Sequence, residues 1–477
     1  MGAPAAAKPA PLFVELDRTV VQTDLFWEAV VQCVQQRPLA VLLLPIWALR
    51  GRRFLSRRLA DWVSLDAGAL PYREAVVRVV AKAHADGAQI VFLTAQDPRL
   101  AQAVTHQLNR DSTVLVLDTS GPQEPLAAIR RYLDAGEFDY VGDARHDAPV
   151  WREARTAYTI GPVKPDPHDP GRLSTVESVA PNPSGLRALI KALRIHHWVK
   201  NLLLFLPFLM AHEIGRLDTW LTLSAAFISF SLLASSVYIT NDLLDLSADR
   251  RHPSKRHRPF AAGAVEIPVG IGFAGGLLIA SFVIAGLLVS VPFAAMLALY
   301  VLLTTAYSFY FKRVPILDVL VLAGLYTHRV LAGGVASATT VSPWLLSFAT
   351  YFFLSLAMLK RYTELRQFEE RDTDPARLNR GYIGGDIRML RSLGAASGYL
   401  SVLVLGLYLH SDKVMLLYSR PGALWLLTPL LLYWVTRIWF LAHRGKVDDD
   451  PIVFAARDWP SYLVGALAVV IIAFGAL

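Results

Sequence analysis

The chain has 477 residues, 54% of them hydrophobic and only 18% charged, with a mean hydropathy of +0.39. That excludes a disordered chain and an ordinary soluble one, and indicates a membrane protein with a soluble part. A single cysteine, Cys33, excludes an intrachain disulfide and a cysteine-built zinc site. The net charge of +8 divides into −1 over residues 1–185 and +9 over 186–477. The basic excess accompanies the apolar half, where it is expected to serve membrane orientation or phosphate binding rather than nucleic acid.

The N-terminus, MGAPAAAKPAP, has a lysine but no apolar core behind it, so it does not read as a secretory signal. Residues 11–160 alternate β-like runs at 12–16, 89–93, 113–117 and 138–141 with helical stretches at 70–86 and 123–135. This predicts a parallel α/β sheet. The apolar run at 39–49 contains Pro45 and is too short to span a bilayer. Arg50, Arg52, Arg53, Arg57 and Arg58 follow it. It reads as a core helix with a solvated end, or as a helix lying on a membrane surface. Six prolines within 161–183 mark a linker, so the expected domains are 1–160, a linker at 161–185, and 186–477.

Nine apolar spans are predicted near 201–214, 220–239, 267–289, 292–311, 316–336, 343–359, 393–410, 422–442 and 461–477. The even-numbered connections hold 18 Lys and Arg, the odd-numbered ones 3. The N-terminal domain and the even connections are therefore expected in the cytoplasm and the C-terminus outside.

The second span ends in Tyr238-Ile-Thr-Asn241-Asp242-Leu-Leu-Asp245-Leu-Ser-Ala-Asp249. Spacings of i, i+3 and i+7 put the three aspartates on one helix face. Stacked carboxylates beside an apolar span are costly and need a cation, and oxygen ligands suit Mg²⁺. Arg250, Arg251, Lys255, Arg256 and Arg258 follow, a set suited to a diphosphate. A solvated basic loop would explain the arginines but not the aspartates.

The run NDLLDLSADRRHPSKRHRPFAAG resembles the first aspartate-rich motif of the UbiA superfamily of intramembrane prenyltransferases. Over residues 186–477 the resemblance implies an all-α polytopic domain of nine helices. It implies Mg²⁺ held by Asp242, Asp245 and Asp249 against a diphosphate, with Asn241 and Tyr238 at the substrate. It places the protein in a bacterial plasma membrane. Aromatic prenyltransferases of the superfamily carry a second aspartate pair after span six. Here that loop opens Lys360-Arg361-Tyr-Thr-Glu364, with Asp372 and Asp374 further on. Together with Arg194-Ile-His-His-Trp-Val-Lys200-Asn201 and Thr327-His-Arg329-Val-Leu-Ala-Gly333-Gly334, it looks like the decaprenyl-phosphate phosphoribosyltransferases. Those use phosphoribosyl pyrophosphate as donor and a polyprenyl phosphate as acceptor. Three phosphate-bearing groups then need extra cations, and Lys200, Lys312, Arg329, Lys360 and Arg361 are expected to supply them. Lys312 also reads as a positive-inside residue and Lys200 as a snorkelling one. Lys255, Arg256 and Arg258 would neutralise the leaving group, Tyr307 would line the donor pocket, and Glu364 would orient a cation or a ribose hydroxyl.

In the soluble half, Glu15-Leu-Asp17-Arg-Thr19, Thr94 and Gly142-Asp143-Ala-Arg-His-Asp147 resemble motifs of haloacid-dehalogenase-like phosphatases. The resemblance implies a Rossmann-type α/β domain with a helical cap. Glu15 stands where those enzymes carry an aspartate nucleophile, and no lysine lies between Lys82 and Lys164, leaving Arg130 or Arg131 as a substitute. A non-catalytic, regulatory or docking domain is expected, with residues 1–180 dispensable for transfer. Two rivals stand beside the phosphoribosyltransferase reading: prenyl transfer to an aromatic or other acceptor, and a non-enzymatic membrane scaffold.

Overall fold

The computed structural model describes residues 9–108, 112–117, 123–133, 136–143, 147–160, 176–180, 185–211, 215–252, 254–370, 380–447 and 450–476. Two compact units result. One comprises residues 1–193 with 238–274, the other residues 194–237 with 275–477.

The first unit is built on a parallel sheet of β1 (Leu12–Glu15), β2 (Ile90–Thr94), β3 (Thr113–Val116), β4 (Asp139–Asp143), β5 (Thr156–Ile160) and β6 (Val176–Ala180), ordered β3-β2-β1-β4-β5-β6. β1 is central, with Leu12 opposite both Ile90 and Asp139. Side chains alternate between two apolar layers. Leu12, Val14, Ile90 and Phe92 enter one, and Phe13, Val91, Leu93 and Tyr140 the other. Burial on both faces explains why these strands read as continuous apolar runs. Strand order reverses between β1 and β4, so their carboxyl ends flank the crevice where such sheets bind ligands. The four expected strands are present. β6 lies inside the stretch expected to be linker, because it adds a parallel edge strand to β5; residues 161–175 and 181–184 of that stretch, with Asp372 and Asp374, lie outside the described residues.

The run at 39–49 is not a core helix. It forms a 3₁₀ segment, Pro38–Leu42, and a short helix, Leu44–Ala48. Leu39, Leu42, Ile46 and Leu49 point outward, while Ala40 is buried.

Among the described residues eight helices are long and apolar enough to cross a membrane: α1 (Leu217–Leu244), α2 (Ile267–Val289), α3 (Val291–Arg313), α4 (Leu317–Ala336), α5 (Pro343–Gln367), α6 (Asp386–Leu409), α7 (Pro421–His443) and α8 (Trp459–Ala476). In the second unit α4 is the central helix. Val319, Ala323 and Val330 join one core with α5 and α7, and Leu325, Ala332 and Ala336 join another with α1 and α3.

The span expected at 201–214 is not a long helix. Ile195–Phe205 is 3₁₀ and Leu206–Met210 a single α turn with Pro207 near its start. The segment buries Lys200 and Asn201, and its polar side chains interrupt what hydropathy reads as one run. It presses closely on α4, where a Cβ on Gly333 would run into the Leu204 carbonyl.

Gly333→Val is therefore expected to destabilise the helical unit by about 1–3 kcal/mol or more, because backbone cannot yield as a side chain can. Gly324→Ala in the same helix meets nothing within 4 Å and should be neutral or slightly stabilising. Thermal midpoints of the two purified variants check the pair.

Candidate functional site

α1 ends at Leu244, and Asp245 (φ −99°, ψ 13°) separates it from a short helix, Leu246–Arg251. The three aspartates therefore do not share one unbroken helix face. Asp242 and Asp249 are buried and joined by one cation, Arg258. Its Nη1 lies 3.1 Å from Asp242 Oδ1 and 2.6 Å from Asp249 Oδ2. Asp245 is half-buried, as are Tyr238, Asn241 and Lys255; Arg256 is exposed, its Nε donating to His257. Burial raises the Asp249 carboxyl above its ordinary range, and Arg258 partly offsets this. No group of three or more acidic, His or Cys side chains is arranged around a cation among the described residues. The donor set still fits Mg²⁺, which takes one or two carboxylates and completes its shell with phosphates and water. Arg258 occupies the position such an ion would neutralise.

Arg250, expected to face a diphosphate, turns instead into the α/β domain. Its Nη1 and Nη2 meet both Glu28 oxygens at 3.0 and 2.6 Å, and its Nε donates to the Ala261 carbonyl at 3.1 Å. Both side chains are almost fully buried. Thr23 Oγ1 donates to Glu28 at 2.7 Å. Arg251 pairs with Asp66, and Arg18 lies 3.6 Å from Glu266. The domain thus holds the aspartate-bearing loop at several points.

At the carboxyl ends of β1, β2 and β4 the residues expected to form a phosphatase-like site converge. Glu15 accepts from Thr19 Oγ1 at 3.0 Å and from the Asp143 amide at 3.3 Å. Asp17 accepts from Thr94 Oγ1 at 3.0 Å and from the Leu25 amide at 2.8 Å. Gly142 passes Asp147 so closely that a Cβ would collide with its carboxylate. Burial and then Asp147 push Glu15 up to about 8. Burial and then Asp24 push Asp17 up to about 7. Asp147 is raised to about 7 by burial, against the hydrogen bond from Tyr140. Neither arginine expected to replace the missing lysine reaches the cluster: Arg130 pairs with Glu153 and Arg131 with Glu124. Arg73, which the sequence did not single out, bonds the Thr19 and Arg18 carbonyls at 3.3 Å, and the charge of Asp143 acts on it.

The second unit holds its own charged groups. Lys200 is buried, pairs with Asp450 and lies 5.7 Å from the Tyr326 ring centroid. Burial alone would raise the Asp450 carboxyl, but Lys200 and then Lys360 hold it well below the usual range. Arg329 donates to Asn201 Oδ1 at 3.0 Å, the Leu325 carbonyl at 2.6 Å and Tyr300 Oη at 2.9 Å. Three aromatic rings surround it. Arg361, fully buried, meets the two Asp318 oxygens at 2.9 and 2.8 Å and also pairs with Glu364. Arg380 Nε lies 3.7 Å from Glu364, and its Nη1 donates to Tyr307 Oη at 3.0 Å. Tyr307 closes the ring by donating to Asp318 at 3.2 Å. Glu364 thus orients two cations, whereas Arg361 and Arg329 are engaged by the protein itself. Lys312 is half-buried at the end of α3. Asp318, Asp450, Arg380 and Glu28 were not singled out by sequence, since each acquires meaning only from a distant partner.

The raised carboxyls carry a pH signature. The folded domain holds their protons more tightly than the unfolded chain, so its stability declines as pH rises from the unfolded values of 4.5 and 3.8 through about 7 to 8. In EDTA, hydrogen-exchange protection of the β1 amides, corrected for intrinsic rates, is expected to fall between about pH 5 and 8. Flat protection over that range would contradict the raised values, and millimolar Mg²⁺ at pH 8 should restore what is lost.

Residues 201–475 match the UbiA prenyltransferase family. A Sinorhizobium fredii protein, y4nM, itself described as uncharacterized, is 34% identical over 467 residues, covering 96% of this chain and 89% of its own. Its similarity therefore runs through both the α/β part and the spans. The decaprenyl-phosphate phosphoribosyltransferase of Mycolicibacterium smegmatis is 34% identical over 278 residues, 57% of this chain and 86% of that one. A UbiA homologue of Archaeoglobus fulgidus solved with GPP and Mg²⁺ is 14% identical with a TM-score of 0.45, over 60% of this chain and 97% of that one. With its eight apolar helices the protein is a multi-pass membrane protein, and the family match identifies it as a transferase-type member of the UbiA prenyltransferase family.

Proposed function

We propose that the protein transfers phosphoribose from phosphoribosyl pyrophosphate to a polyprenyl phosphate at the cytoplasmic face of the membrane. The observation that carries the reading is the group Lys200, Lys360 and Asp450. Two ammonium groups act on one carboxylate, leaving a net positive charge suited to an acceptor phosphate. The similarity to the mycobacterial enzyme supports the same choice.

In this reading an acceptor phosphate oxygen forms a bond to ribose C1 while the bond from C1 to the diphosphate oxygen breaks. The acceptor is already an anion, so it needs positioning rather than a strong base. Asp242 and Asp249 would hold Mg²⁺, with Asp245 beside them, once Arg258 releases them. When bound there, the ion would supply Lewis-acid stabilisation of negative charge on the diphosphate. Lys255, Arg256 and the displaced Arg258 add charge neutralisation. Tyr238 and Asn241 line the donor side. The α/β domain positions the loop through Glu28 and Arg250 rather than doing the chemistry.

Within the first unit, Asp66 and Gln35 of the α/β domain touch Arg251 and the Leu244 carbonyl. In this reading the segment 195–210, which leads toward the start of α1, also crosses the membrane. Eleven residues of 3₁₀ at about 2.0 Å and five of α at about 1.5 Å reach roughly 30 Å, the hydrocarbon thickness. That reach suffices for a ninth crossing. A reporter fused after Leu477 is expected on the side opposite the N-terminus, and one within 371–379 on the same side as it. A Leu477 reporter on the same side as the N-terminus would exclude nine crossings.

Membranes supplied with labelled phosphoribosyl pyrophosphate and a polyprenyl phosphate should yield labelled lipid. EDTA or Asp242→Asn is expected to lower the yield at least about 100-fold, since even second-shell changes cost 10–100-fold at metal sites. Label arriving from a prenyl diphosphate on an aromatic acceptor instead would establish the rival transfer. Glu28→Ala leaves Arg250 buried without its carboxylate, expected to cost about 3–5 kcal/mol. Transfer should fall with it although Glu28 touches no substrate.

A further inference from the structure

We propose that residues 38–58 form a foot by which the α/β domain rests on an anionic lipid surface. The apolar side chains at its tip are too exposed to serve the domain core: Leu39 is 79% exposed, Leu42 68%, Ile46 53% and Leu49 89%. The segment is nonetheless built rather than loose. Trp47 packs edge-on against Trp62 with centroids 4.8 Å apart, and Leu44 packs on the core beneath. A rigid frame that turns four large aliphatic groups outward presents an apolar surface.

Two further observations name the occupant. Residues 50–58 contain five arginines and no acid, and all five are exposed. Apolar side chains bordered by cations match the boundary between acyl chains and lipid phosphates. Position agrees. Gln35, three residues before the foot begins, donates to the carbonyl of Leu244, the last residue of α1. Arg18 of the same domain lies beside Glu266, which immediately precedes α2. Both contacts fall at ends of membrane-spanning helices and lie within the first unit, so the foot starts at the level of the bilayer surface.

The test places a spin label on Leu42→Cys in the full chain, reconstituted in nanodiscs of phosphatidylcholine with phosphatidylglycerol. Cys33 is buried, so labelling is selective. A label on Glu74→Cys, whose native side chain is 90% exposed, serves as the aqueous reference. At position 42 dissolved oxygen is expected to relax the label more than a water-soluble nickel chelate does, with the reverse at position 74. A label at 42 that behaves like the one at 74 overturns the proposal. Protection confined to discs holding two chains identifies a second copy as the occupant and overturns it equally. Protection unchanged in discs of phosphatidylcholine alone overturns the assignment of the arginines to anionic lipid. If Leu42→Cys does not accumulate, Leu49→Cys carries the same test.

Discussion

A charge removed from water must find matched partners, and that constraint organises the second unit. Arg361 has no exposed surface, and neither has Asp318. An isolated ion at that depth would be prohibitive; an arginine–carboxylate pair reinforced by further polar partners is tolerable. Those partners are Glu364, Arg380 and Tyr307. The ring thereby ties the end of α3 to the start of α4 and the last turns of α5. Helices outside it are under no such demand. The most apolar windows of α2 and α8 are only 17% and 6% buried, leaving long faces for lipid.

Burial also ranks the charged pairs of the first unit by their capacity to open. The Arg250 side chain is 6% exposed and its Glu28 partner 1%. Separating them would strand two ions in a dry interior. Arg258 is 28% exposed, so water can replace the carboxylates it releases, and an incoming cation can take its place. One loop therefore carries a fixed arginine and a displaceable one, eight residues apart. That division supports a loop anchored to the α/β domain at one point and responsive to ligand at another.

Much of this was legible in the sequence, for identifiable reasons. The eight long spans are visible because each is a sustained apolar run, and β1, β2, β3 and β4 because buried parallel strands are short apolar runs between helices. β6 was hidden by the prolines around it. The stretch 195–210 reads as one long helix because hydropathy counts residues and assumes the α rise, whereas it is mostly 3₁₀ and buries Lys200 and Asn201. At the candidate site, Asp242 and Asp249 stand out in the sequence because closely spaced carboxylates beside a span are anomalous in one dimension. Glu28 looks like an ordinary solvated helix residue until Arg250, 222 positions later, is laid upon it. Asp450 looks like one of three loop aspartates until Lys200 reaches it. Arg361 was correctly noticed and wrongly read, since a lone arginine cannot reveal whether a ligand or Asp318 will answer it.

The chemistry of the cations supports the separate handling of two phosphates. The loop after α1 offers chiefly arginine, whose planar fork matches the paired oxygens of a diphosphate. The Asp450 group offers lysines, compact charges that hold a phosphate without dictating its orientation and need no fork. A carboxylate facing both gives each an opposite charge to interact with. It also keeps their repulsion from opening the packing around Lys200. An arriving acceptor phosphate would compete with Asp450 for those ions rather than enter bare positive space, so its binding exchanges one anion for another. The displaceable Arg258 presents the mirror case, a resident cation exchanged for an incoming one. In both units a resident side chain already answers the charge it faces, so a charged ligand would replace a partner rather than enter bare charge.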